Sequence, residues 1–166
     1  MQKFWDWYER NYLLNVGLAT SFFVLQIFHL IWLFSEVITA KIFGTPIFAF
    51  QGLSKILMLL VDYTEIPALL GASLLYINEL RKKFSIKSLL YLFFINSQWL
   101  HLFWITDEFV THSFFNTNLA PVWLAWVAIL IDYLELPVIF DTLKKFWQAL
   151  QKEKNIYYAF QKIKEN

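Results

Sequence analysis

Cysteine is absent from the 166-residue chain, which excludes a disulfide framework, a thiolate ligand and an iron–sulfur cluster. Charge is nearly as scarce. Asp, Glu, Lys and Arg make up 16% of the residues, where a soluble domain carries roughly 25%. So few charges cannot coat a water-facing surface. Nor is there an excess of either sign: the net charge of +1 says nothing about nucleic acid, and with no basic aromatic patch no nucleic-acid partner is expected.

What fills the chain instead is apolar and aromatic, 58% and 20% of residues, with a mean hydropathy of +0.48. Asn11 to Ser35 contains no Asp, Glu, Lys or Arg, and neither does Ser88 to Thr106. A membrane-spanning helix needs about 20 mostly apolar residues, so both runs qualify. The expected fold is all-α, a polytopic membrane protein with spans at roughly 12–38, 52–79, 86–110 and 119–142. The first apolar run is too long for a signal-peptide core and is read as a retained helix. Gly44-Thr45-Pro46 marks the first loop and Asn116 to Pro121 the third.

Basic residues set the expected topology. One side receives Lys3, Arg10, Arg81, Lys82, Lys83, Lys87 and the six lysines from Lys144 onward, twelve in all. The other receives Lys41 and Lys55. This split predicts a multi-pass protein with both termini cytoplasmic. Residues 1–143 form the expected transmembrane domain and 144–166 an amphipathic cytoplasmic-side tail. Leu143, Phe146, Trp147 and Leu150, then Tyr157, Phe160 and Ile163, give the tail the apolar spacing of an interfacial helix.

The chain repeats itself. At an offset of 72, Phe22, Gln26, His29, Leu30, Trp32, Glu36 and Thr39 match Phe94, Gln98, His101, Leu102, Trp104, Glu108 and Thr111. At an offset of 70, Leu60, Asp62, Tyr63, Glu65 and Pro67 match Leu130, Asp132, Tyr133, Glu135 and Pro137. Two tandem helical hairpins, about 12–83 and 86–143, therefore build the four spans, related by an axis along the membrane normal.

The repeated positions are the polar ones. His29 and Glu36 are seven apart and Asp62 and Glu65 three apart, so each pair shares a helix face. His29, Asp62, Glu65, His101, Asp132 and Glu135 are expected to meet inside the bundle. An acid at mid-membrane costs roughly 3 kcal/mol on insertion scales, so four ionised together require neutralisation. Two divalent cations supply it, with the imidazoles as further ligands. Two histidines and four carboxylates is also the inventory of dinuclear iron or manganese sites in four-helix bundles, although the helix distribution differs. Nitrogen and oxygen donors suit iron or manganese, else zinc. Glu65, Glu135, Glu36 and Glu108 are the candidate catalytic carboxylates. Gln26 and Gln98 are candidate donors to the cofactor's ligands, and Trp32 and Trp104 line the cofactor site or serve as packing aromatics. Asp107 and His112 have no counterpart in the other half and read as solvated loop residues.

A lone buried histidine is more often a hydrogen-bonded core residue than a ligand. Repetition at equal spacing beside repeated acids favours ligation here. The expected function is a membrane metalloprotein with a dinuclear site, an oxidoreductase or hydroxylase acting on a lipid-soluble substrate. Two alternatives stay open. One is a transporter of protons or divalent cations through the same acids. The other is a metal-free lipid isomerase or cyclase with Glu and His as acid and base. Haem held by His29 and His101 ranks below these, since it needs no carboxylates. The expected partners are the bilayer, a hydrophobic small molecule or metal ions, and further copies of the chain in a homo-oligomer.

Overall fold

The computed structural model describes residues 1–48, 51–107 and 122–164, the side chains of Lys55, Val122 and 157–164 excepted. Every described element is helical. A short α1 (Gln2–Arg10) precedes α2 (Tyr12–Trp32), which runs through a π-helical turn, Leu33–Ile38, into α3 (Thr39–Phe43). Then come α4 (Leu53–Tyr63), α5 (Glu65–Lys82), α6 (Ile86–Ile105), α7 (Val122–Tyr133) and α8 (Glu135–Lys164). Gly44, at φ 77°, ends the first rod in a left-handed conformation that glycine adopts at little cost.

Three stretches, Tyr12–Phe43, Ile56–Lys82 and Trp123–Ile156, are long and apolar enough to cross a membrane. α2 lies against α5 and α8, α5 against α6, and α6 against α7, which closes a four-sided bundle. The bundle is inside-out relative to a water-soluble one. Phe93 and Leu130 are 66% and 67% exposed, while His101 and Asp132 are 0% and 1% exposed. An outer surface of large apolar side chains fits a lipid environment.

The two acid-bearing rods are each broken once. Pro67 and Pro137 lack the N–H that would bond the carbonyl four residues back, so the helix cannot continue through Tyr63 or Tyr133. Thr64 closes α4 by donating to the carbonyl of Val61 at 2.9 Å, and Leu134 closes α7 by donating to that of Ile131 at 2.9 Å. A new helix then starts at Glu65 and at Glu135, with the proline in its first turn, where the missing donor costs nothing. Each expected single span at these places is therefore two helices meeting at a break.

Two further expectations change. The tail does not form a separate helix after 143. With no Gly or Pro between Val138 and Lys164, α8 runs on unbroken for 30 residues. Its Phe146 packs so closely on Gly17 that a Cβ there would come within 3.0 Å of the ring. Asp107 is not a solvated loop residue. α6 continues as a π-helical turn through Thr106 and Asp107, and Asp107 is buried at 2% exposure. Glu108, His112 and the loop Asn116 to Pro121 lie outside the described residues.

The α2–α5 seam depends on small residues, since a Cβ on Gly71 would lie 3.1 Å from that of Ala19. Gly71→Val is expected to lower stability by about 1–3 kcal/mol through overpacking, read as a lower thermal midpoint in detergent. Gly17→Ala meets a side-chain ring that can turn aside, and its effect is expected to be smaller.

Candidate metal centre

Six of the repeated ionisable residues lie in one polar layer between two apolar ones. On one side Phe23, Leu30, Ala68, Leu69, Ala72, Tyr76, Ile95, Leu102, Val138 and Ile139 pack together. On the other, Trp32, Leu33, Trp104, Ile105, Ala125, Ala128 and Ile129 do. Between these, His29, Asp62, Glu65, His101, Asp132 and Glu135 are all at most 2% exposed. α2 and α6 supply the histidines. The ends of α4 and α7 supply the aspartates, and the starts of α5 and α8 the glutamates.

His29 sits between two carboxylates from opposite halves of the chain. Its Nε2 is 3.0 Å from Asp132 Oδ2, and its Nδ1 contacts Asp62 Oδ1. The His101 ring stands against it nearly perpendicular, 5.3 Å between centroids at 78°. One ligand atom from each of His29, His101 and Asp132 can be chosen so that all three lie within 4.8 Å of one another. Glu65 and Glu135 face each other across the layer.

This layer is short of protein hydrogen bonds. Oδ2 of Asp62 and Oδ1 of Asp132 have no hydrogen-bond partner among the described residues, whereas His101 bonds the backbone of Ala128 and Glu65 bonds Glu135. A buried polar atom without a partner ordinarily costs about 1–3 kcal/mol. Two such aspartate oxygens on either side of His29 suit a group that the side chains would hold together. The three-residue set offers two imidazoles and a carboxylate, donors that suit a divalent transition metal.

The glutamines do a different job from the one expected. Gln26 donates its Nε2 to the carbonyl of Val61 and to Thr64 Oγ1, both at 3.2 Å. Gln98 donates to the carbonyl of Ile131 at 2.9 Å. Each ties its helix to the backbone immediately before an aspartate, and so holds the carboxylate's carrier rather than the carboxylate. Thr64, which the sequence pattern did not single out, completes the first of these. Trp32 and Trp104, both 3% exposed, lie against His29 and His101 at centroid distances of 5.5 and 5.8 Å. Trp32 also donates its indole N–H to Glu36 Oε2 at 2.6 Å. Glu36 is thus half-buried in the π-helical turn, next to the histidine-bearing helix rather than in the polar layer.

A second polar cluster closes the end of the bundle nearest the termini. Asp141, 7% exposed, accepts from Tyr76 at 3.0 Å and pairs with Lys87 and Lys145 at 2.5 Å each. Lys145 also pairs with Glu79 at 2.8 Å, and Ser88 donates to Glu79 at 2.8 Å. Tyr8 is buried beside this cluster, and desolvation pushes its hydroxyl well above the ordinary phenol range. The cluster satisfies itself, charge against charge, and needs no ligand. A groove of about 480 Å³ between α2 and α8, lined by Arg10, Leu14, Gly17 and Phe146 among others, includes none of the six polar-layer residues.

No known protein family, characterised protein or solved structure matches the chain.

Gln98→Leu would remove one of two donors to the carbonyl of Ile131, which keeps the N–H of Leu134 at 2.9 Å. A loss of about 0.5–1.5 kcal/mol is expected, seen as a lower midpoint of thermal unfolding in detergent. Gln26→Leu is expected to cost less, because Thr64 Oγ1 also donates to the carbonyl of Val61, at 2.6 Å.

Proposed function

We propose that this chain is an integral membrane metalloprotein whose sealed polar layer holds a divalent transition metal on His29, His101 and Asp132. Its four rods cross the bilayer as two tandem hairpins, with both termini on the cytoplasmic side. The observation that carries the metal reading is the convergence of these three buried residues, one ligand atom of each within 4.8 Å of the others. His29 Nε2 and Asp132 Oδ2, 3.0 Å apart, share a hydrogen bond that a bound ion would replace. Asp62, at the other nitrogen of His29, would orient the ring and raise its basicity, as carboxylates behind metal-bound histidines do.

Two histidines and one carboxylate are also the ligand set of non-haem iron oxygenases, which keeps coordination positions open for reactants. Iron or manganese, else zinc, suits the donors, and an oxidoreductase or hydroxylase acting on a lipid-soluble substrate is the activity such a set would serve. One observation favours a second reading. His29 between Asp62 and Asp132 is also an arrangement that passes protons, which suits transport. Proteoliposome flux that depends on Asp62 and Asp132 in metal-free protein would establish transport instead.

Elemental analysis of the detergent-purified chain is expected to find at least one equivalent of iron, manganese or zinc, lost in His101→Ala. Asp62→Asn is expected to weaken binding by about 10–100-fold without abolishing it. A wild-type chain that takes up no stoichiometric metal overturns the proposal.

A further inference from the structure

We infer that the groove between α2 and α8 binds one phospholipid with a zwitterionic, primary-amine headgroup, of the phosphatidylethanolamine type. The inference stands apart from the metal reading, since none of the six polar-layer residues lines this groove.

Helical spacing builds the two walls. Arg10, Leu14, Gly17 and Ser21 recur at three and four residues and form one stripe, and Phe146, Leu150 and Glu153 form another. The helices run in opposite senses, because Thr20 meets Thr142 and Gly17 meets Phe146. Arg10 and Glu153, each seven residues further out, therefore stand at the same end of the groove. That end lies at the edge of the apolar region. Arg10 precedes the stretch Tyr12–Phe43, and Glu153 falls in the last turn of Trp123–Ile156. A bilayer's headgroups begin at such a level. Deeper in, the walls are apolar and open, with Leu14 and Leu18 58% and 51% exposed. The volume of about 480 Å³ is that of a small-molecule site.

Charge selects the headgroup. Arg10 and Glu153 face the groove from opposite walls, yet no ion pair joins them, and neither pairs with another described residue. Their neighbours are engaged: Glu9 with Lys82, and Lys145 with Glu79 and Asp141. Lys152 lines the adjoining groove with Glu9, not this one. Opposite charges held apart across a groove complement a group that carries both signs. A lipid phosphate takes the Arg10 guanidinium, the ammonium donates to Glu153, and an acyl chain covers Leu14, Leu18 and Leu150. A wholly anionic headgroup would be repelled by the Glu153 carboxylate. A choline headgroup has no N–H to donate to it.

Native mass spectrometry of the full chain in detergent, with equimolar phosphatidylethanolamine, phosphatidylcholine and phosphatidylglycerol, reads the bound lipid directly. Wild type is expected to retain one phosphatidylethanolamine, about tenfold in preference to either competitor. Arg10→Gln is expected to weaken that binding about tenfold. Glu153→Gln is expected to retain phosphatidylglycerol as well as phosphatidylethanolamine. Both side chains are exposed, and neither substitution is expected to alter metal content, so this site and the metal centre fail separately. Equal retention of all three lipids by wild type and both variants marks ordinary boundary lipid and overturns the site. Preference of wild type for phosphatidylglycerol overturns the zwitterionic headgroup. Absence of any retained lipid overturns the inference outright.

Discussion

Ionisable groups in a medium that solvates charge poorly are the constraint on which the rest of this structure depends. An acid at the middle of an apolar helix costs roughly 3 kcal/mol on insertion scales. Here four acids occupy one layer of the bundle, all at most 2% exposed. They sit beside two imidazoles and between two apolar strata that keep water from either side. Local structure bends to this arrangement. Both acid-bearing rods break, and each break puts a glutamate at the positive start of a new helix. Gln26 and Gln98 tie the neighbouring helices to the backbone beside each aspartate, which fixes where the carboxylates stand.

The two halves share the layer but not its surroundings. Positions 72 or 70 residues apart are buried alike: Phe23 and Ile95, Trp32 and Trp104, Leu69 and Ile139. The end near the termini departs from this correspondence. Asp141 and Lys145 stand where Gly71 and Leu75 stand in the first half. They form a self-compensated ionic cluster with Tyr76, Lys87 and Glu79. That cluster locks α8 to α5 and α6 below the polar layer, and it shows what buried charge looks like when the protein neutralises it unaided. The polar layer pairs His29 with Asp62 and Asp132 and Glu65 with Glu135, yet brings His29, His101 and Asp132 within ligand reach of one point, and for that reason it is the one read as a site.

Much of this was legible in the amino-acid order. The apolar runs mark the rods, and Gly44 marks the end of the first. His29, Asp62, His101 and Asp132 announced themselves by recurring at equal spacing in lipid-compatible segments. Other features were not legible. Asp107 looked like a loop residue because nothing local says that α6 continues as a π-helical turn. The tail looked interfacial because its apolar spacing serves equally well for packing, and only the contact of Phe146 with Gly17 shows what part of it packs against.

By itself, the order of residues determined the class of structure and the inventory of the centre. Hydropathy and helical spacing are local properties, and they place acids and imidazoles on inward faces without reference to any partner. Only the tertiary structure decided how those donors are shared out. The rotation and crossing of the rods bring His29 to Asp132 and to His101, and Glu65 to Glu135. Those pairings depend on packing between segments far apart in the chain, which no local pattern encodes.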